Sequence, residues 1–105
     1  MSATKKKSFK ELINSSSTPV LVDFYATWCG PCQTLSPIVQ EVAKDMRDQL
    51  KVIKVDVDRN PAAAQQFQIR GVPTLLLFKR GKVIWRKAGL MTRRELTSSI
   101  QNAVD

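Results

Sequence analysis

The sequence predicts an α/β protein of three layers, with helices covering both faces of a mixed central sheet. Three observations carry this. Apolar, β-branched runs at Val20 to Ala26 and Val52 to Val57 are separated by a long stretch of helical periodicity. The last two strand-like runs, Thr74 to Phe78 and Val83 to Arg86, are joined only by Lys79-Arg80-Gly81-Lys82, a turn short enough to demand antiparallel pairing. Two capping boxes, Ser8-Phe9-Lys10-Glu11 and Thr92-Arg93-Arg94-Glu95, mark where the first and last helices begin.

Taken in order, Phe9, Leu12 and Ile13 fall on one face of the first helix, and the serine-rich stretch from Asn14 to Pro19 reads as a loop. Val20 to Ala26 is a buried strand with one acid, Asp23, at its centre. Beyond Pro31 the period changes: Leu35, Ile38, Val39, Val42 and Met46 follow helical spacing, with Pro37 expected to kink the helix. Asn60-Pro61 reads as an N-cap with proline at the first helical position. Leu96, Ile100 and Val104 give the last helix its apolar stripe. The order α-β-α-β-α-β-β-α implies parallel pairing across the helical crossovers and an antiparallel final hairpin. The 105 residues fit one domain, 1–105, large enough to hold a core without a metal or a stapling disulfide.

Composition narrows the functional class. The chain is 43% hydrophobic and 25% charged, with no apolar run near the ~20 residues of a membrane span. The polar start, Met-Ser-Ala-Thr-Lys-Lys-Lys, has no apolar signal region, so the expected location is cytoplasmic. The formal charge of +8 is spread over short runs (Lys5 to Lys7, Arg70, Lys79 to Lys82, Arg86-Lys87, Arg93-Arg94) that read as solvated faces. No aromatic-interleaved basic motif accompanies it, which disfavours nucleic-acid binding.

Chemistry concentrates at Cys29-Gly30-Pro31-Cys32, between the strand ending near Ala26 and the helix that follows. These are the chain's two cysteines, and it has no histidine, so it cannot complete a four-ligand zinc site alone. A C-x-x-C in this setting is a redox signature. Residues three apart on a helix have Cβ atoms about 5–6 Å apart, and small adjustments bring them to disulfide distance. Cys29 is expected at the helix N-terminus, exposed and favoured as thiolate by unpaired amide N–H groups. Lowering a thiol pKa from about 8.5 to about 7 raises its ionised fraction near neutrality from about 3% to half, for about 2 kcal/mol. Cys32, one turn deeper, is expected to be the more shielded. Cys29 would then attack a substrate disulfide and Cys32 would resolve the mixed disulfide. Two inert core cysteines are the weaker reading, because Gly-Pro is a poor core sequence. Asp23 allows two readings. Burial raises its pKa and suits it to take the proton from Cys32; alternatively it is a structural acid paired with Lys54 of the neighbouring strand.

The segment Val22-Asp23-Phe24-Tyr25-Ala26-Thr27-Trp28-Cys29-Gly30-Pro31-Cys32 resembles the active-site segment of the thioredoxin family. Val72-Pro73-Thr74 resembles its cis-proline loop, and Val55-Asp56-Val57-Asp58, Phe78, Gly81 and Gly89 fall where the family has them. The resemblance covers residues 8 to 105. It implies the thioredoxin fold, a three-layer α/β/α arrangement with a central mixed sheet of four to five strands flanked by four helices. It also implies a protein-disulfide reductase cycling between a Cys29/Cys32 dithiol and disulfide, without a bound cofactor or metal, contributing to cell redox homeostasis. Cys29 would be the nucleophile, Cys32 the resolving cysteine, Asp23 the buried acid and Lys54 its neighbour. Trp28 would pack beside the dithiol and Pro73 would be cis, with Val72 offering backbone hydrogen bonds to an extended substrate segment. Gly30, Pro31 and Gly89 would share that substrate-binding surface. From the residues alone, Trp28 could equally be plain core and Pro73 a trans turn proline. The implied partners are thioredoxin reductase, an NADPH-dependent flavoprotein, and disulfide-bearing proteins; the chain is expected to be a monomer.

Some positions depart from the family. The family's first strand precedes the first helix, but residues 1–7 are short and polar, so that edge strand is expected to be frayed or absent. Gln33 stands where Lys or Arg is usual, Tyr25 where Trp is common, and the +8 charge points to a narrower or more acidic partner set. Related oxidants and isomerases carry a histidine between the cysteines; here none is present, which favours the reductase direction. The competing readings are an oxidant or isomerase on the same fold, and a redox-independent binding subunit using the same loops.

Overall fold

The computed structural model describes residues 8–105. The elements are α1 (Phe9–Ser15), β1 (Val20–Tyr25), α2 (Gly30–Asp45), β2 (Lys51–Asp56), α3 (Pro61–Gln66), β3 (Thr74–Lys79), β4 (Lys82–Ala88) and α4 (Arg93–Val104). The sheet order is β2-β1-β3-β4. β1 runs parallel to β2, while β1–β3 and β3–β4 are antiparallel. This is the mixed four-stranded sheet flanked by four helices that the element order implies. The frayed or absent first strand at 1–7 lies outside the described residues.

Period-2 alternation along the central strands sends side chains to two separate cores. On one face Leu21, Leu75 and Leu77 pack with Leu35, Val39 and Val42 of α2 and Leu96 and Ile100 of α4. On the other, Val20, Val22, Phe24, Leu76 and Phe78 pack with Ile13, Phe9 and Phe67. Phe67 meets Phe78 and Phe9 edge to face, with ring centroids 5.2 and 5.7 Å apart. Each fully buried Leu or Phe contributes about 1.5–3 kcal/mol relative to its exposed state. By the same alternation Asp23 falls with Leu21 on the α2 face, opposite Leu75 of that core.

Both capping boxes form with reciprocal hydrogen bonds: Ser8 with Glu11, and Thr92 with Glu95. Accepting the cap hydrogen bonds holds the Glu95 carboxyl below its ordinary pKa. Several details differ from the sequence reading. α1 continues to Ser15, one turn's edge into the stretch read as loop. Asn60 occupies the N-cap of α3, but its side chain does not cap; its amide donates instead to the Asp56 carbonyl at 3.0 Å. Arg93, one of the cations read as solvated, reaches Glu41 and Asp45 of α2. The pairing slips between Leu77↔Trp85 and Phe78↔Val83, which leaves Ile84 as the extra residue of a bulge.

The β3–β4 turn places both central residues at positive φ, Arg80 at 53° and Gly81 at 81°. That is the signature of a twist-matched two-residue hairpin, in which Asn-Gly is preferred. Gly81 is required by its positive φ; a Cβ there would in addition have to displace the end of the exposed Asn14 side chain. Arg80 is the strained member. Arg80→Asn is expected to stabilise the protein by about 0.5–1 kcal/mol, read as a higher urea midpoint at unchanged slope.

Candidate active site

The C-terminal ends of β1 and β2, the start of β3 and the end of β4 meet at one edge of the sheet. There the chain leaves β1 through Ala26-Thr27-Trp28 and enters α2. Cys29 is the N-cap of α2 in extended conformation (φ −93°, ψ 113°), and Pro31 supplies the preset φ of the first turn. The sulfur takes the place of a capping oxygen: the Cys32 N–H donates to Cys29 Sγ at 3.1 Å. A thiolate there receives the field of the unpaired first-turn amides. Cys29 and Cys32 form a disulfide with Cα atoms 5.2 Å apart.

In this oxidised form the expected contrast in exposure between the two cysteines is not seen. Cys29 is 5% exposed and Cys32 4%. Their positions differ in another way. Cys29 lies at the helix tip between exposed Trp28 and Gly30, whereas Cys32 lies within the first turn beside a cleft of about 430 Å³ edged by Gln33, Ser36 and Lys54.

A second loop closes over the sulfur. The Val72-Pro73 peptide is cis, so the reading of Pro73 as an ordinary trans turn proline is set aside. The Val72 carbonyl oxygen lies 3.6 Å from Cys29 Sγ. The loop is fastened at its end by Thr74 Oγ1, which donates to Gly71 O at 2.7 Å, and by the Gly89 N–H, which donates to Pro73 O at 3.0 Å. Gly89 has φ +95°, a conformation that favours glycine. Gly30 and Pro31 are exposed beside the disulfide. Trp28 is 71% exposed, which rules out the plain-core reading; its indole N–H is anchored to Asp58 at 2.8 Å. Asp58 in turn is held by its own N–H donating to Asp56 Oδ1.

Asp23 is 1% exposed, and neither carboxylate oxygen has a hydrogen-bond partner among the described residues. Loss of hydration raises its pKa from 3.8 to about 6, opposed by the positive charge of Lys54. Lys54 is its register neighbour on β2, yet makes no ion pair with it. The ammonium donates to Ser36 Oγ at 2.7 Å and lies 4.7 Å from the Tyr25 ring centroid. The site therefore holds a buried acid with no bonded counter-ion, on the face of the sheet that carries α2. Ser36, which holds the Lys54 ammonium, and Asp58, which holds the Trp28 indole, are site residues that the sequence does not single out; only Asp58 carries a signal, as part of Val55-Asp56-Val57-Asp58. Among the described residues no group of three or more His, Cys, Asp or Glu side chains is placed to hold a metal, and no helix is long and apolar enough to cross a membrane.

Comparison with known proteins gives the same assignment as this geometry. The thioredoxin family model matches residues 1–102. A thioredoxin-like protein of Synechocystis is 46% identical over 101 residues, covering 94% of this chain and 96% of that protein. A thioredoxin of Acidithiobacillus ferridurans is 46% identical over 95 residues, 90% of this chain and 88% of its own. Thioredoxin Y2, chloroplastic, of Arabidopsis thaliana is 44% identical over 105 residues, 97% of this chain but 63% of that longer protein. With a redox disulfide at a helix tip and similarity along nearly its whole length, the chain belongs to the thioredoxin family of protein-disulfide reductases.

Proposed function

We propose that Cys29 is the nucleophile and Cys32 the resolving cysteine of a reductase cycle assisted by Asp23. The observation that carries this is the capping geometry: one sulfur sits where a helix N-terminus stabilises negative charge, and the other is one turn behind it. In the reduced protein the Cys29 thiolate attacks one sulfur of a substrate disulfide. That bond breaks, the first substrate sulfur leaves as thiolate, and a mixed disulfide forms. Asp23 takes the proton of Cys32, whose thiolate attacks Cys29 Sγ and expels the second substrate sulfur. The substrate gains two electrons and, from Asp23 and solvent, two protons; the protein is left with the Cys29–Cys32 disulfide. Lys54 supports Asp23 by moderating its charge.

Substrate is read as docking in extended form along Val72, over Pro73 and Gly89, with Trp28, Gly30 and Pro31 forming the opposite rim. Acidic partners suit the +8 charge, and the chain acts as a single-domain monomer. A cytoplasmic location is proposed because a dithiol reductase needs a reducing compartment. The relatives named as chloroplastic make an organelle the competing location. The electron donor is read as thioredoxin reductase. Mixing the oxidised protein with that flavoprotein and NADPH is expected to consume one NADPH per Cys29–Cys32 disulfide, read at the nicotinamide absorbance. Absence of consumption would remove this partner.

A further inference from the structure

Arg86 has no place in the reductase cycle just described, yet it reaches the loop that closes over Cys29. It lies on β4 opposite Leu76 and is carried on the face of the sheet that packs against α1 and α3. Its guanidinium donates from Nη1 to the Phe67 carbonyl and from Nη2 to the Gln68 carbonyl, each at 2.7 Å. These carbonyls follow the C-terminus of α3, and neither accepts a backbone hydrogen bond among the described residues. Two charge-assisted bonds at this length are strong, and the planar fork fixes direction as well as distance.

The local backbone needs such a tie. α3 has six residues and lacks a side-chain N-cap bond, so it holds itself weakly. Gln68 sits at φ +54°, the left-handed region that a residue with a Cβ adopts at a cost. From Gln68 the chain has only Ile69, Arg70 and Gly71 before Val72, whose carbonyl faces Cys29 Sγ. The segment 67–73 is thus pinned at its start by the Phe67 ring among Phe9, Phe24 and Phe78, and at its end by Thr74 and Gly89. Arg86 holds the strained backbone between them.

We propose that Arg86 is a positioning residue for substrate: by clasping the Phe67 and Gln68 carbonyls it holds loop 67–73 in the conformation that presents Val72 to an extended substrate segment. This rests on the reading of Val72 and Pro73 as the substrate-docking edge. The contribution is to binding of a polypeptide, which uses that edge, and not to the sulfur chemistry, which a small disulfide without flanking backbone also tests.

The experiment compares wild type with Arg86→Ala and Arg86→Lys, and uses Pro73→Ala as the control on the docking edge. Amide hydrogen exchange is measured on each, with turnover on insulin and on cystamine. For Arg86→Ala, exchange at Ile69 to Val72 is expected to accelerate by about tenfold or more while amides of β1 and β3 keep their protection. KM for insulin is expected to rise roughly three- to tenfold, with kcat and the cystamine rate unaltered. Arg86→Lys, which keeps the charge but loses the fork, is expected to fall between the two. Unaltered loop exchange, or acceleration shared by every amide, would overturn the inference. So would faster loop exchange with an unaltered KM while Pro73→Ala raises it. An unaltered KM in Pro73→Ala would instead remove the docking reading, and this inference with it.

Discussion

Cys29→Ser is expected to lower dithiothreitol-driven reduction of insulin by about three orders of magnitude or more, to the uncatalysed background. A serine hydroxyl at the tip of α2 could accept the Cys32 N–H as the sulfur does, so the fold is retained. What is lost is a nucleophile that ionises near neutrality. Cys32→Ser is expected to behave differently. Cys29 still attacks, but nothing within reach displaces the captured sulfur, and a one-to-one mixed disulfide accumulates that intact-mass spectrometry detects. The contrast between an inert variant and a trapping variant is what distinguishes a nucleophile from a resolving cysteine. Trapping by the Cys29 variant, or turnover in it, would reverse or abolish the assignment. Full cellular function in a double Cys29→Ser/Cys32→Ser variant would support the competing role of a redox-independent binding subunit.

The parts of this site visible in the sequence are those fixed by short spacings. The i,i+3 cysteines, the proline at the start of α2 and the two Ser/Thr–Glu capping boxes each depend on residues within one helical turn. The strands were visible because β1 and β3 lie between others and are apolar on both faces. The parts that were not visible depend on contacts between distant segments. Nothing near Trp28 says that its indole is held outward by Asp58, thirty residues on. Nothing near Lys54 says that Ser36 holds its ammonium, and the alternative reading of Asp23 as an acid paired with Lys54 across adjacent strands is not met by an ion pair. Arg86 read as one cation in a solvated run, because its partners are backbone carbonyls of another element and carry no sequence signature. The bulge at Ile84 was hidden for a related reason: one extra residue in an edge strand leaves its composition unchanged. The shielding of Cys32 is as expected, whereas Cys29 is covered as well, by the Val72-Pro73 loop 43 residues on, a contact with no local signature.

Asp23→Asn is expected to make the protein both more stable and slower. In the unfolded chain this carboxyl ionises near 3.8, and in the folded protein near 6. Below pH 3.8 it is protonated in both states and folding is not penalised. Between 3.8 and 6 the unfolded state gives up the proton while the folded state keeps it, so stability falls as pH rises. Above 6 both are ionised and the full penalty, about 3 kcal/mol, is in place. The neutral amide removes it. Urea denaturation of the oxidised protein should show the variant more stable by about 2–3 kcal/mol at pH 8, with little difference near pH 4. The oxidised form is the right one for this measurement, since a thiolate nearby would raise the carboxyl further. The kinetic side has the opposite sign. Resolution of the mixed disulfide needs a base for Cys32, and an ionised Asp23 is that base above pH 6, whereas below it the carboxyl already carries its proton. Wild-type resolution should therefore slow as pH falls through about 6, and the Asn variant should be slow throughout, by roughly ten- to a hundredfold at neutrality. A variant no more stable at pH 8 would mean that the buried charge carries no net penalty in the folded protein. A variant that is more stable yet resolves mixed disulfides at the wild-type rate would mean the acid is a cost of the fold without a role in proton transfer. Gain of stability together with loss of rate is the outcome that ties an unpartnered acid in the middle of an apolar strand to the dithiol chemistry at the start of α2.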